Sequence, residues 1–287
     1  MSTTKLRGLL RLFRFELPFS AGICVMMGAL LALGRFPTVD QLLLGFLSVF
    51  FISAATLILN DYFDLEVDRI NMPNRPLPSG QVTARDVIAL SMIVTLLGLA
   101  ISALISLQAL LVAILVWIVG FLYNWRFKRT GFLGNLMVSF SVGMTFIFGG
   151  LVVGLPFSKP VLVFAIIAAL IDLGEEIAGD ALDAQGDKHI GSRSLALTWG
   201  TENALKLSGA LFLLMVIVSS VPFWLGWLGW LYGVPIVIMD ALILYATAHL
   251  LNPRKAESRR RTMRWIYMSG LSGMVLFLLV RLADGGN

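Results

Sequence analysis

Residues 40–68 read DQLLLGFLSVFFISAATLILNDYFDLEVD, an apolar run that ends in three aspartates. The run is long enough to cross a bilayer, because a transmembrane helix needs about 20 mostly apolar residues. The aspartates Asp61, Asp64 and Asp68 stand at offsets of three and seven, so a helix would carry all of them on one face. This stretch predicts a membrane-spanning helix that ends in a cluster of carboxylates.

The same acidic spacing occurs a second time. Asp180, Asp183 and Asp187 repeat the pattern D-x-x-D-x-x-x-D and again close a long apolar run. A cluster of like charges beside a membrane or a core is costly unless a positive partner compensates it. Divalent metal is the simplest partner, and ligand sets made only of oxygen favour Mg²⁺, Mn²⁺ or Ca²⁺. Both clusters are therefore predicted to bind metal.

The composition indicates an integral membrane protein of the all-α class. Apolar residues make up 58% of the 287 residues and charged residues only 14%, whereas soluble domains carry about a quarter of charged residues. The single cysteine, Cys24, excludes an internal disulfide and a cysteine-based metal site within one chain. The net charge of +5 is better explained by membrane topology than by nucleic-acid binding, so we expect no nucleic-acid partner.

Nine segments are long and apolar enough to span a bilayer. They are residues 17–34, 40–60, 86–106, 108–124, 135–156, 160–178, 203–222, 226–249 and 265–282. Of the 22 Lys and Arg residues, all but Arg35, Lys159 and Arg281 fall in the N-terminal tail or on the same side of this arrangement. Because basic residues concentrate on the cytoplasmic face, the N-terminus is expected in the cytoplasm.

The same topology places both acidic clusters on the cytoplasmic face. We expect a single transmembrane domain over residues 1–287, with acidic loops at 61–85 and 179–201. The protein is then a multi-pass protein of the cell membrane whose active site opens to the cytoplasm. Loops of one face that are longer and more polar than those of the other are where function is expected.

Cations follow both acidic clusters. Arg75 lies on a turn stiffened by three prolines, and a planar guanidinium at a rigid position suits a phosphate. Lys188 and Arg193 follow the second cluster, and Lys128 lies in another loop predicted on the same face. Carboxylates, divalent metal and basic side chains together are typical of a diphosphate site.

A diphosphate site at the mouth of an apolar bundle suggests a ligand with a charged head and an apolar tail. A prenyl diphosphate fits, because ionisation of its allylic C–O bond gives a carbocation and diphosphate that such a site can stabilise. A cation transporter that uses the acidic repeats as ion ligands is the alternative of a different class. Transporter sites usually lie near the bilayer midplane, whereas these acids fall at span ends beside cations.

The motifs resemble those of a known family. Asn60-Asp61-x-x-Asp64-x-x-x-Asp68, followed by Asn74-Arg75-Pro76, resembles the signature of the UbiA superfamily of intramembrane prenyltransferases. The second cluster, with Gly186-Asp187-Lys188, is similar to the second motif of that family, and Tyr123 with Lys128 to its Tyr-x-x-x-x-Lys element. The resemblance implies nine helices around a central cavity, and Mg²⁺-dependent transfer of a prenyl group to an aromatic or glycerol-phosphate acceptor.

Spacing and resemblance together give a set of candidate site residues. The catalytic candidates are Asp61, Asp64, Asp68, Asp183 and Asp187. The candidate metal ligands are Asn60, Asp61, Asp64, Asp68, Asp180, Asp183 and Asp187. The candidate substrate-binding residues are Arg75, Tyr123, Lys128, Lys188, Arg193 and Arg14. Arg14 could bind the acceptor or form an interfacial charge pair with Glu16.

The identity of the acceptor substrate is predicted from finer details of the first motif. The first motif is similar to that of archaeal digeranylgeranylglyceryl phosphate synthases, although Glu175 and Glu176 stand where those proteins usually carry a basic residue. We expect geranylgeranyl diphosphate as donor and geranylgeranylglyceryl phosphate, a lipid phosphate, as acceptor. An aromatic acceptor of quinone or chlorophyll type is the alternative. Asp172 and Asp240 lie within predicted spans, where ionisable groups are functional candidates.

Overall fold

The protein folds as a set of long helices joined by short connections. The structure, a computed structural model, describes residues 3–187, 193–252 and 258–284, with the side chains of 185–187 left aside. Within these ranges every regular element is helical. The all-α prediction is therefore confirmed for the described part of the chain.

The helices are numbered in chain order. They are α1 (Thr3–Leu12), α2 (Glu16–Leu33), α3 (Val39–Phe63), α4 (Leu65–Asn71), α5 (Ala84–Ile105), α6 (Leu107–Leu122), α7 (Phe132–Val152), α8 (Lys159–Asp187), α9 (Leu195–Trp199), α10 (Thr201–Trp224), α11 (Gly233–Leu250) and α12 (Arg259–Ala283). A π-helical turn, Tyr123–Phe127, extends α6, and a 3₁₀ turn, Trp230–Tyr232, precedes α11.

Eight of the described helices are long and apolar enough to cross a membrane. They are α2, α3, α5, α6 with its π turn, α7, α10, α11 with its 3₁₀ turn, and α12. The remaining predicted span, 160–178, lies inside α8, which has 29 residues but carries Asp172, Glu175 and Glu176 among its apolar side chains. The protein is a multi-pass membrane protein, while the count of nine spans and the orientation of the N-terminus remain predictions.

Several boundaries differ from the sequence-based prediction, and α12 begins at Arg259 rather than at 265. The span expected over 226–249 begins later, because α10 ends at Trp224 and Gly226 follows with a φ of 65°. The acidic motifs lie on helices rather than in loops. Asp61 belongs to the last turns of α3, Asp64 interrupts the helix with φ −89° and ψ 1°, and Asp68 lies in α4. On the other side, α8 continues to Asp187.

Glycines allow α2 and α7 to pack closely. A Cβ atom added at Gly28 would lie 2.5 Å from the carbonyl oxygen of Phe146, so only glycine permits this approach of the two backbones. Small residues are the usual means by which membrane helices approach one another. The close crossing fixes the position of α7, whose polar residues Asn135 and Ser139 face α8.

The N-terminal helix α1 packs on the outside of α3 and α5. Its Leu12 is fully buried, and Lys5 Nζ lies 2.7 Å from a carboxylate oxygen of Asp86 at the start of α5. The chain then turns at Arg14, the one described residue other than glycine with a positive φ, of 44°. Backbone strain of this kind clusters at functional sites, and here it lies next to the first acidic cluster.

Candidate active site

The first acidic cluster is buried and carries its own cations. Asp61 is 2% exposed and accepts a hydrogen bond from the Arg14 guanidinium. Arg75 Nη1 donates to Asp68 Oδ2 at 2.6 Å and lies 3.8 Å from an oxygen of Asp61. One guanidinium therefore joins the first and last aspartates of the motif, as expected for carboxylates on one face. Arg14 pairs with Asp61 rather than with Glu16, so the predicted charge pair with Glu16 is wrong.

The middle aspartate has a different cation. Asp64 accepts a hydrogen bond from the Lys128 ammonium group. The backbone N–H of Lys128 donates to the Tyr123 carbonyl at 2.8 Å, which closes the π-helical turn after α6. Turns of this kind occur frequently at functional sites. The extra residue in the turn brings Lys128 to the acids while Tyr123 lines the adjacent cavity.

Asn60 makes a contact different from the one that the sequence suggested. Its side-chain amide donates to Asn124 Oδ1 at 2.8 Å, and the Asn124 amide donates to the Thr56 carbonyl at 3.0 Å. This chain of hydrogen bonds ties α3 to the π turn. Asn60 therefore positions the cavity wall next to Asp61, and its role as a metal ligand remains a prediction.

The second acidic cluster is open. The side chain of Asp183 is 54% exposed and pairs with Arg260 of α12. Asp180 Oδ2 accepts from the Asn135 amide at 3.0 Å, and about two helical turns deeper Asp172 Oδ2 accepts from Ser139 at 2.7 Å. The side chain of Asp187 and the whole of Lys188 lie outside the described residues.

A cavity lies beside the first cluster, next to Lys128. This head cavity has a volume of about 380 Å³ and a largely apolar wall, and the polar residues in its lining are Thr56, Asn60, Tyr123, Asn124, Lys128, Ser141 and Glu176. A second, apolar cavity of about 180 Å³ shares part of the wall, namely Thr56, Gly120, Val138 and Ser141, and reaches Phe148. The two cavities thus adjoin each other, the head cavity with Lys128 in its wall and the apolar cavity deeper in the bundle.

A third cavity lies between α8 and α12. This side cavity has a volume of about 470 Å³ and is lined by Glu175, Glu176, Gly179, Asp180, Asp183, Met263, Arg264 and Tyr267. Glu176 is the residue that it shares with the head cavity. The sequence assigned the Arg-rich start of α12 to membrane topology and so missed Arg260 and Arg264. A sequence signal for them was weak, since Arg residues next to a span usually serve topology.

The remaining predicted substrate-binding residues lie in different parts of the structure. Arg75 and Lys128 meet at the first cluster, as the sequence suggested, and Arg14, which was considered for the acceptor, lies there too. Arg193 lies apart from these cavities with an exposed side chain, and its backbone N–H donates to the Arg129 carbonyl at 3.1 Å. That bond instead ties the segment before α9 to the loop after the π turn.

The geometry of the described acids bears on the predicted metal site. In the described part of the chain, no three His, Cys, Asp or Glu side chains converge closely enough to hold an ion. Asp61, Asp64 and Asp68 each face a cation instead. The carboxylate oxygens of both clusters are nevertheless suitable ligands for a hard metal ion. The Arg and Lys side chains that now pair with them are suitable ligands for phosphate.

Comparison with known proteins agrees with this geometry. Residues 21–271 match the UbiA prenyltransferase family. The digeranylgeranylglyceryl phosphate synthase of Pyrococcus abyssi is 33% identical, over 92% of this chain and 94% of that protein. The enzyme of the same name from Saccharolobus solfataricus is 30% identical, over 96% of each.

Solved structures agree as well. A digeranylgeranylglyceryl phosphate synthase structure superposes with a TM-score of 0.86 at 32% identity, covering 97% of this chain and 99% of the other. A UbiA homolog from Archaeoglobus fulgidus, bound to GPP and Mg²⁺, has a TM-score of 0.69 at 20% identity, covering 96% and 99%; this second likeness bears on the fold alone. Motifs, helices and relatives thus agree, and the chain belongs to the UbiA prenyltransferase family.

Proposed function

We propose that this prenyltransferase moves a geranylgeranyl group from its diphosphate to geranylgeranylglyceryl phosphate, the activity named for its relatives. The observation that carries the proposal is the pair of adjoining cavities, one beside the ion pair of Lys128 with Asp64 and the other apolar. Such a pair of cavities matches a molecule with a charged head and an apolar tail. Because the chain belongs to a family of enzymes, we set the cation-transporter alternative aside.

The donor diphosphate is assigned to the first cluster. Arg75 and Lys128 are the cations that would hold its oxygens, since both already contact carboxylates of the first cluster and Lys128 lines the head cavity. The tail would extend past Thr56 and Gly120 into the apolar cavity. Water is scarce among those apolar walls, which protects an allylic cation from being hydrolysed.

Magnesium is proposed as the metal. Oxygen ligands favour it, and the Archaeoglobus homolog of the same fold is itself bound to GPP and Mg²⁺. Asp61, Asp64 and Asp68 would hold it together with Asp180, Asp183 and Asp187. The chemistry that it supplies when bound is neutralisation of charge on the leaving diphosphate.

The acceptor is assigned to the side cavity. Arg264 offers a cation for its phosphate, and Glu176 lies where the side cavity meets the head cavity. In the reaction the allylic C–O bond breaks, diphosphate leaves with the bonding electrons, and the acceptor hydroxyl oxygen bonds to the freed carbon. The hydroxyl proton would pass to the Glu176 carboxylate, which acts as general base.

Orientation and domain structure remain part of the proposal. The bias of Lys and Arg residues supports a cytoplasmic N-terminus and an active site that opens to the cytoplasm of a cell membrane. The family match over 21–271 supports one transmembrane domain over residues 1–287.

A competition experiment tests the substrates. Purified protein with geranylgeranyl diphosphate and Mg²⁺ would receive geranylgeranylglyceryl phosphate and an aromatic acceptor, such as 4-hydroxybenzoate, in the same reaction. We expect prenylation of the lipid phosphate, with loss of turnover in EDTA. Product from the aromatic acceptor alone would make the acceptor assignment wrong and leave the family unaffected.

Two variants test the separate roles assigned to Arg264 in acceptor binding and to Glu176 as general base. Arg264→Gln should raise the apparent KM for the lipid phosphate about tenfold or more, because a charge-assisted hydrogen bond is lost. Glu176→Gln should instead lower kcat. Arg261→Gln is the matched control, since Arg261 stacks on Trp265 at the same end of α12 and does not line the side cavity.

A further inference from the structure

A fourth cavity lies at the end of the molecule opposite the acids. Helix α8 begins at Lys159 and reaches the second acidic cluster at its other end, and α12 runs antiparallel to it toward Arg281. The cavity has a volume of about 220 Å³ and lies between these two ends and the end of α10. Its lining includes Lys159, Arg281, Val163, Phe164, Trp227 and Leu228.

Arg281 is a buried cation in this cavity. It is 8% exposed, and its Nε donates to the Leu31 carbonyl at 2.9 Å. Its guanidinium also donates to the Tyr232 hydroxyl, which in turn donates to Asp284 Oδ2 at 2.7 Å. No carboxylate of the described residues forms a direct ion pair with Arg281. The guanidinium is therefore hydrogen-bonded but has no carboxylate in direct contact, so an anion in the cavity would compensate its charge further.

Lys159 brings a second positive charge to the same cavity. Its Nζ lies 4.9 Å from the centroid of the Trp227 ring, a cation–π contact that leaves the ammonium group at the cavity rim. Only Arg35, Lys159 and Arg281 depart from the side on which the sequence concentrates Lys and Arg. Two of these three exceptions meet in one cavity, which topology alone does not explain.

We propose that this cavity binds the phosphate of an anionic phospholipid from the membrane leaflet opposite the active site. The phosphate would lie between Arg281 and Lys159, because guanidinium groups bind phosphate oxygens in pairs. The glycerol and the first acyl carbons would cover Val163, Phe164 and Leu228. Free phosphate has the same charge chemistry, but it would leave this apolar part of the lining uncovered.

A lipid bound here joins the far ends of α8 and α12, the two helices that form the side cavity. Binding to the folded state alone raises the melting temperature in proportion to the logarithm of ligand concentration. The cavity is remote from the acidic clusters, so lipid binding there does not depend on the proposed substrates.

The test is thermal unfolding of the purified full-length protein in neutral detergent. Dihexanoyl phosphatidic acid, dihexanoyl phosphatidylcholine and inorganic phosphate would each be titrated. At a lipid concentration about a hundred times Kd, we expect phosphatidic acid to raise Tm by roughly 5–10 °C and the other two to raise it much less.

Two variants and a control localise the effect. Lys159→Gln and Arg281→Gln should each lose most of the phosphatidic acid shift, and Arg35→Gln, an exposed cation of the same face outside the cavity, should keep it. If Arg281→Gln does not fold, Lys159→Gln still decides, since Lys159 is exposed. An equal shift in Lys159→Gln and wild type overturns the site, and an equal shift with inorganic phosphate overturns its assignment to lipid.

Discussion

The two acidic clusters have the same spacing and opposite surroundings. In the first, Asp61 is 2% exposed and three cations from three different segments neutralise the aspartates. In the second, the side chain of Asp183 is 54% exposed, and its ion pair with Arg260 lies at the surface. A repeated motif therefore does not imply a repeated environment, because the neighbouring elements decide how the charge is compensated.

The difference suggests that the two clusters have different roles in the reaction. The first is held in place by ion pairs before any ligand arrives, which favours a fixed diphosphate position. The second is open to the side cavity and can adjust when metal and acceptor bind. Variants in each cluster would show whether this difference in burial and charge compensation affects turnover, stability and substrate binding.

The largest expected effect is on turnover, and it should be similar in both clusters. Asp64→Asn and Asp183→Asn should each lower kcat by roughly a hundred- to a thousandfold, because each removes a charge aimed at the reacting groups. Asp61→Asn and Asp187→Asn should behave alike. Radiolabelled geranylgeranyl diphosphate provides the assay, and Asp40→Asn, at the far end of α3, is the matched control. Near-normal turnover in Asp183→Asn would show that the clusters do not work together.

The second effect is on stability, and it should separate the clusters. Asp61→Asn leaves Arg14 and Arg75 facing a neutral amide, and breaking a buried pair costs about 3 kcal/mol or more. Asp183→Asn should cost less than about 1 kcal/mol, as for surface pairs. Chemical unfolding in micelles measures both. Equal losses of unfolding free energy would contradict the difference in burial.

The third effect is on donor binding. Arg75→Gln or Lys128→Gln should raise the apparent KM for prenyl diphosphate by about ten- to a hundredfold, since each loses a charge-assisted contact of roughly 1.5–3 kcal/mol. The KM for acceptor should change little. Arg69→Gln, whose partner Glu66 is exposed on the same short helix, serves as the control. An increase confined to the acceptor KM would reverse the assignment of the two cavities.

The smallest effect belongs to the surface pair itself. Arg260→Gln should change the unfolding free energy by less than about 1 kcal/mol, and added salt should reduce that difference further. Parallel unfolding curves at low and high ionic strength provide the measurement. A large loss that salt does not reduce would mean that Arg260 is held more rigidly than its 69% exposed side chain indicates.

Much of the fold was predictable because it rests on local chemistry. Long apolar runs gave the helices, and the spacing of Asp61 and Asp68 gave the face on which Arg75 meets both. Local sequence patterns could not predict the contacts between residues that are distant in the chain. The π turn that brings Lys128 to Asp64 depends on one extra residue in a helix, and the approach of Arg260 to Asp183 depends on how α12 packs on α8.

Helix α8 also bears on how the protein is made. Charged residues at the centre of a lone helix each add about 2.5–3.5 kcal/mol to its insertion cost, and α8 carries three carboxyl groups before its acidic end. Its partner α7 supplies Ser139 for Asp172 and Asn135 for Asp180. Helix α8 is therefore expected to leave the translocon together with α7 as a hairpin, so polar side chains on α7 contribute to biogenesis before there is any active site to support.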